Sequence, residues 1–142
     1  FSDPKAFVEK LAADIRARWR RGILNATMTA EGVVVDEAPY REGNLRSGII
    51  SFLQGEGTET VGIVKVTAPY GPLVHRGTGI YGPHRTPIIP RVKKALAFIY
   101  KARKVVRRSV RGQKANPFVT RAKDKLQKSG AITRAFWEGF NA

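Results

Sequence analysis

Apolar residues recur at three- and four-residue spacing near the start of the chain, which is the pattern of an amphipathic helix. Ser2, Asp3 and Pro4 form a helix-start signal, with a capping side chain followed by proline at the first helical position. The apolar stripe that follows consists of Val8, Leu11, Ile15 and Trp19. This pattern predicts a helix from residue 4 to about 26, which could continue to 29, with Trp19 in the core rather than serving as a base-stacking platform.

The pattern then changes to short runs separated by glycine and proline. A β-branched run at 33–35 is broken at Pro39, and a turn over 41–48 leads into one or two helical turns. Strands are predicted at 49–53 and 60–67, and a turn at 55–57 pairs them as a hairpin.

A second hairpin is predicted later in the chain. A short helix at 70–76 ends at Gly77, and a proline-rich loop covers 80–91. The strands 95–100 and 104–110 follow, joined by a short connection at 101–103.

The C-terminal part repeats the helix-start signal at Asn116 and Pro117. The helix that follows is expected to end at Ser129-Gly130, and a weaker closing helix covers 131–140. Its apolar stripe is formed by Ile132, Phe136 and Phe140. Such a stripe either packs back on the core or docks on a neighbouring subunit, and the sequence favours neither.

Together these elements predict an α+β fold: a mainly antiparallel sheet of two hairpins, packed with a long N-terminal helix and a C-terminal helix. The 142 residues suit a single domain. Within it we expect the N-terminal helix at 1–29, the sheet with a protruding basic hairpin at 33–110, and helices at 116–142. No apolar run approaches the roughly 18 residues of a membrane span, and the charged residues among the first fifteen argue against a signal peptide.

The net charge of +15 is concentrated in one stretch of the chain. Residues 60–123 contain 15 Lys or Arg and no Asp or Glu, whereas the remainder has 11 of each sign. Such a stretch repels itself unless nucleic acid, an acidic protein surface or salt offsets the repulsion. The plainer alternative is a solvated basic face, or an edge hairpin whose cations prevent unwanted strand pairing.

The sequence has few of the residue types and motifs that catalytic, metal and cofactor sites require. The chain has no cysteine, and His75 and His84 are its only histidines, too few for a zinc site. The stretch GTGIYG at 77–82 departs from the dinucleotide fingerprint in its glycine spacing and is followed by Pro83 rather than a helix. We therefore expect no enzyme activity, catalytic residue, metal site or cofactor.

Nucleic-acid binding is the alternative function. Phe98 and Tyr100 lie within the basic stretch and could stack on bases, although core packing explains them equally well. No helix-turn-helix, zinc-finger or RNA-recognition signature is visible.

Three segments, in order, resemble a known family. APYREGNLRSGI at 38–49 resembles its Pro-x-x-Thr-Gly-x-Leu-Arg-x-Ser-Ile segment. APYGPLVHRGTG at 68–79 resembles its Tyr-Ala-x-x-Val-Glu-x-Gly-Thr segment, and VRGQKANPFVTRA at 110–122 its closing Gly-Gln and Asn/Gln-Pro-Phe-Leu segment. The family is the neck and tail-completion proteins (minor tail, head–tail joining) of long-tailed bacteriophages. Glu42 and His75 depart from the usual Thr and Glu.

This resemblance implies a structural virion protein, assembled in the host cytoplasm, that forms a homo-oligomeric, six-fold ring in the neck. Its partners would be the connector or stopper protein on the head side and the tail terminator or tail tube protein on the other. Genomic DNA in the channel could also contact it. We expect the second hairpin and the adjoining loop to contact partner proteins through five cations. The proline-rich loop at 80–91 and the C-terminal stripe are secondary candidates for subunit docking. The predicted interface set is Arg103, Lys104, Arg107, Arg108, Arg111, Phe136 and Phe140.

Overall fold

The computed structural model of the chain describes residues 3–39, 44–100 and 103–142. The fold is α+β, as predicted, with a long N-terminal helix, two antiparallel hairpins and two C-terminal helices. The helices are α1 (Pro4–Glu37), α2 (Asn44–Ser47), α3 (Gly71–Arg76), α4 (Phe118–Ser129) and α5 (Ala131–Asn141). The strands are β1 (Ile49–Gln54), β2 (Val61–Val66), β3 (Leu96–Tyr100) and β4 (Arg103–Arg107).

The chain divides into two compact units. The first, called here the helical unit, comprises Phe1–Ala68 and Phe118–Ala142. The second, called the basic unit, comprises Pro69–Pro117. The single domain expected over 1–142 stays a prediction.

Helix α1 begins as predicted, but its predicted end is wrong. Asp3 caps the helix by accepting a hydrogen bond from the Lys5 amide at 3.1 Å, and Pro4 occupies the first turn. The β-branched run at 33–35, expected at the start of the sheet region, is helical, and α1 ends at Glu37. Packing outweighs the β propensity of this run because Val34 is buried. The helix stops where Ala38 adopts an extended conformation before Pro39, which disfavours helical geometry in the preceding residue.

Helix α5 packs antiparallel on the middle of α1. The Asn25 side chain donates to the carbonyl of Ala135 at 2.6 Å, and the Arg21 guanidinium donates to the carbonyl of Ala142. Gly22 lets the two helices approach closely, since a Cβ there would lie 2.7 Å from the Phe136 ring. For this reason Gly22 lies inside the helix and does not end it.

The first hairpin packs on the C-terminal half of α1. Strands β1 and β2 pair antiparallel with Ile49 opposite Val66 and Gln54 opposite Val61, as the predicted hairpin requires. Gly62 in β2 faces α1, where a side chain would collide with Thr27. In addition, the Ser51 hydroxyl donates to the Glu31 carboxylate across the same contact.

Two basic residues of α4 fix it to the C-terminal end of α1. Arg121 donates from Nε to the Glu37 carboxylate at 3.0 Å and from its terminal nitrogen to the Glu37 carbonyl at 3.1 Å. Lys125, one turn further along α4, pairs with the other carboxylate oxygen. These contacts lower the pKa of Glu37, chiefly through the hydrogen bonds from Lys125 and Arg121.

The basic unit contains α3, a loop with one 3₁₀ turn, and the second predicted hairpin. Strands β3 and β4 pair antiparallel with Leu96 opposite Arg107 and Tyr100 opposite Arg103. The sheet is shorter than predicted, because regular pairing in β4 stops at Arg107 and Val110 forms only an isolated bridge to Ile88. Residues 41–43 of the predicted turn at 41–48, and residues 101–102 of the predicted connection at 101–103, lie outside the described residues. Of the rest, Asn44–Ser47 forms α2 and Arg103 begins β4.

Candidate protein interface

The second hairpin presents its cations on an exposed two-stranded ribbon. In β4, Arg103 and Arg107 alternate with Lys104, so cations point to both faces of the ribbon. All three side chains are exposed, as is that of Arg108 just beyond the strand. The ribbon has no third strand among the described residues. Its cationic side chains are therefore accessible to a partner.

The basic unit has no carboxylate of its own. Residues 69–117 contain 12 of the 26 Lys and Arg and none of the 11 Asp and Glu. The helical unit, with 14 basic and 11 acidic residues, has a net charge of only +3. A cation of the basic unit can therefore form an ion pair only with a group outside that unit. Within the unit, Lys114 instead lies over the ring of Tyr81, 5.9 Å from its centroid.

In the basic unit, the backbone segment at 78–80 crosses the segment at 111–113 and forms hydrogen bonds with it. The part of the unit between these segments, called here the cationic lobe, therefore begins and ends at this crossing. The Thr78 amide donates to the Gln113 carbonyl at 2.9 Å, and the Ile80 amide donates to the Arg111 carbonyl at 2.7 Å. Gly79 and Gly112 lie where the segments cross, both with positive φ (62° and 100°), and a Cβ at either would collide with the opposite backbone. Only glycine fits both the conformation and the space.

The crossing joins two of the segments that carry the family resemblance. Gly77, Thr78 and Gly79 belong to the segment 68–79, whereas Gly112 and Gln113 belong to 110–122. A further bond, from the Asn116 amide to the Val74 carbonyl at 2.9 Å, extends the same contact. The GTGIYG stretch is thus one side of a backbone crossing, which explains its glycines without a nucleotide.

The predicted interface residues fall into two groups. Arg103, Lys104, Arg107, Arg108 and Arg111 are all exposed in the basic unit and run from the hairpin to the crossing. Phe136 and Phe140 lie in α5 of the helical unit, where both are half-buried.

The aromatic cluster of α5 packs against α1. Phe136 meets Trp19 in an edge-to-face contact, with ring centroids 5.0 Å apart, and lies 5.9 Å from Phe140. Of the two alternatives for the C-terminal stripe, the structure therefore contains the packing one. Trp19 is half-buried in this cluster, consistent with a packing role. The docking role of Phe136 and Phe140 stays a prediction.

The two histidines of the basic stretch lie in different elements, and the Tyr100 side chain lies outside the described part of the structure. His75 is half-buried in α3, and His84 is exposed in the loop. Across the described ranges, no three His, Asp or Glu side chains cluster in a way that could hold a metal ion. Phe98 is half-buried, so both packing and base stacking stay predictions for this ring.

The structure adds one surface that the sequence did not identify as a candidate site. Phe7, Val8, Leu11 and Ile15 line one side of α1 and are 42, 59, 47 and 43% exposed. Val8, Leu11 and Ile15 belong to the apolar stripe that the sequence predicted, but the spacing does not show which part of that stripe another element covers.

Comparison with protein-family models, curated proteins and solved structures gave no significant match. No helix in the described ranges combines the length and the apolar character that crossing a membrane requires.

Proposed function

We propose that this chain is a non-enzymatic structural subunit of the neck of a long-tailed bacteriophage. In this role it forms a ring that joins the DNA-filled head and its connector to the tail. The observation that carries the proposal is the separation of charge between the two units. The basic unit has 12 cations, no carboxylate and an exposed hairpin, so it is suited to bind a partner surface that carries acidic groups.

Mutual repulsion among these cations favours a partner of opposite charge. In a ring, the charge of the basic unit is repeated in every copy, so neighbouring copies cannot neutralise it through the same unit. Acidic residues on an adjoining ring of a different protein would neutralise this charge. Ion pairs shielded from solvent at that contact would also fix the rotational register of the two rings. Because each whole subunit has a net charge of +15, the acids of neighbouring copies cannot balance it either, and we infer that the hairpin set lies at a contact with a different protein.

The backbone crossing gives physical support to the resemblance. Two of the three similar segments meet at Gly79 and Gly112, where a side chain on either residue would break the contact. The segments that resemble the family thus include Gly79 and Gly112, the residues at which the two ends of the cationic lobe meet in this chain. We infer that the part of the basic unit closed at this crossing is the contact surface.

In the proposed setting the subunit lies in the virion between two different neighbours. A six-fold ring would meet the connector or stopper protein on one side and the tail terminator or tail tube on the other. The genome would pass through the ring, and the subunit would be made and assembled in the host cytoplasm.

A head–tail joining assay tests this role. Heads and tails are prepared from a phage that lacks the protein, and the purified chain is added back. A variant with five exposed cations of the hairpin and the adjoining loop (Arg103, Lys104, Arg107, Arg108 and Arg111) changed to Glu should remain folded but fail to join heads to tails. A matched control reverses five exposed cations of the helical unit: Lys10, Arg16, Lys65, Lys128 and Arg134. Normal joining by the hairpin variant would refute the proposal.

A nucleic-acid-binding module is the second candidate, since phosphates could equally neutralise the 12 cations of the basic unit. This function predicts duplex binding whose affinity falls steeply with salt, because bound counterions are released. Gel shifts over a salt series separate the candidates. The neck subunit needs no tight binding to free DNA at physiological salt, whereas the module requires it.

A further inference from the structure

Strand β4 forms one edge of the second hairpin. It pairs with β3 along Arg103–Arg107, and the described residues add no third strand to this sheet. A bridge between Ile88 and Val110 lies beyond the end of β4. Alternate residues of an edge strand direct their backbone N–H and C=O groups away from the strand that is already paired. Strand β4 therefore presents a row of backbone donors and acceptors to which another strand could pair.

The side chains of β4 place a valine beside cations on both faces of the hairpin. On one face Val105 lies between Arg103 and Arg107, and on the other Val106 follows Lys104. The three cations are exposed, and Val106 is 58% exposed. None of these cations forms an ion pair with a described residue. The edge thus combines unpaired backbone groups with an ordered row of cationic and apolar side chains.

We propose that β4 binds an extended acidic segment of a partner protein as a third strand of this sheet. This inference rests on the proposed contact of the hairpin with a different protein, and it gives the chemistry of that contact. Main-chain hydrogen bonds contribute affinity in such strand addition, and the side chains determine specificity. Residues 103–108 read RKVVRR, so a strand with carboxylates opposite the cations and valines opposite the valines reads EEVVEE. This sequence is the same in both directions, so it complements β4 in parallel and in antiparallel pairing.

The charge of β4 determines which edge is used and excludes pairing with a second copy. The other edge of the hairpin belongs to β3, whose sequence LAFIY contains no charged residue. An acidic strand added there would lie opposite no cation. Pairing between the β4 strands of two copies would place cations opposite cations, which is destabilising. The cations thus prevent self-pairing and at the same time favour an acidic strand.

The exposed valine favours a polypeptide partner over nucleic acid at this edge. A phosphate backbone can neutralise the cations, but it offers no apolar contact to Val106 and donates no hydrogen bond to the edge carbonyls. An acidic strand with a β-branched centre satisfies the cations, the valines and both kinds of backbone group together.

Peptide binding to the full chain tests this pairing. The probe is the capped hexapeptide EEVVEE, added to ¹⁵N-labelled protein at about 50 mM salt, where exposed charges are only weakly screened, and followed by NMR. The control VEEEEV has the same composition in another order. A second control is EEVVEE N-methylated at both valines, which has the same charge but lacks two backbone donors. We expect each control to bind about tenfold more weakly than EEVVEE. The outward-facing amides of β4 should exchange with solvent about tenfold more slowly when EEVVEE is bound.

Charge reversal in the protein identifies the strand that binds. A variant with Lys104→Glu and Arg107→Glu should bind EEVVEE about tenfold more weakly, because acids then face acids across the pair. The matched control carries Lys10→Glu and Arg16→Glu, two exposed cations of the helical unit, and has the same net charge. This control variant should bind EEVVEE as the wild type does.

Each other result contradicts the inference. Equal binding of EEVVEE and its N-methylated form would show that the hairpin attracts acids by charge alone, and equal losses in the two protein variants would show that β4 is not the binding strand. If a short duplex DNA shifts the β4 amide signals and EEVVEE does not, the edge binds nucleic acid. If these tests fail while charge reversal of the hairpin still abolishes head–tail joining, only the mode of contact is wrong and the neck role stands.

Discussion

Thr78 and Gln113 hold each other through two reciprocal hydrogen bonds. The Thr78 amide donates to the Gln113 carbonyl at 2.9 Å, and the Gln113 amide donates back to the Thr78 hydroxyl oxygen at 2.8 Å. Although 35 residues separate them in the sequence, these two residues bring together the two ends of the cationic lobe. The hairpin therefore lies between two segments that are hydrogen-bonded to each other within the basic unit.

Replacing either glycine of the backbone crossing should break the contact between its two segments. In Gly79→Ala or Gly112→Ala, the new Cβ would collide with the backbone of the opposite segment and would also require a positive φ. We expect each substitution to lower the free energy of unfolding by about 3 kcal/mol, the combined effect of conformational strain and overpacking. Urea titration followed by circular dichroism measures this loss.

Gly130 is the matched control for these variants. It has a similar positive φ of 66°, but a Cβ there would meet no atom within 4 Å. Gly130→Ala should therefore cost only about 1 kcal/mol, the strain alone. Equal losses at Gly79, Gly112 and Gly130 would show that the backbone crossing is not tightly packed.

The aromatic cluster of α5 offers a test of its packing role. Phe136→Ala removes the ring that contacts Trp19 and Phe140, so we expect a loss of about 2 kcal/mol in the free energy of unfolding. Trp137 is half exposed, and Trp137→Ala should cost about 1 kcal/mol or less. Unchanged stability of Phe136→Ala with impaired assembly would instead show that this ring serves mainly for docking.

The pairing of Glu37 with α4 predicts a specific pH dependence. Hydrogen bonds from Lys125 and Arg121 lower the pKa of Glu37 in the folded protein, so its contribution to stability is present above the usual pKa of about 4.3. That contribution is lost as pH falls through the lowered, folded-state pKa. The difference in urea midpoint between the wild type and Glu37→Gln should thus be constant from neutral pH to about 5 and vanish in stronger acid.

A double-mutant cycle identifies the partners of Glu37. In a background of Arg121→Gln and Lys125→Gln, the further substitution Glu37→Gln should no longer produce a pH-dependent change in the midpoint. High salt should weaken the effect in the wild type, because these basic side chains are exposed and the ion pairs are screened. A pH-dependent difference that persists without both cations would assign the effect to other neighbours of Glu37.

Local sequence signals predicted the elements of this fold well. Asp3 with Pro4 correctly indicated where α1 begins, and Asn116 with Pro117 predicted the start of α4 to within one residue, since α4 begins at Phe118. Capping and proline geometry act within a few residues, so the sequence shows them directly. The end of α1 was misjudged because burial of Val34 depends on contacts distant in sequence. Pro39, by contrast, acts locally, and the helix does end just before it.

The long-range parts of the candidate site were less accessible from the sequence. The glycines at 77–79 and 112 suggested bends, but nothing local indicated that the two segments cross, since that contact depends on backbone hydrogen bonds across 35 residues. The cationic set was visible from composition alone, and its exposure on the hairpin matches that expectation. The uncovered part of the α1 stripe could not be predicted, because it depends on where α5 ends against Arg21.

The most direct test of the neck role is a near-atomic electron cryomicroscopy reconstruction of the neck of the assembled virion. We expect a ring of this chain between the connector and the tail, with the guanidinium groups of Arg103, Arg107 and Arg108 within ion-pair distance of carboxylates on a neighbouring protein ring. A neck that lacks this chain, or a ring in which these side chains face only solvent, would contradict the proposed function.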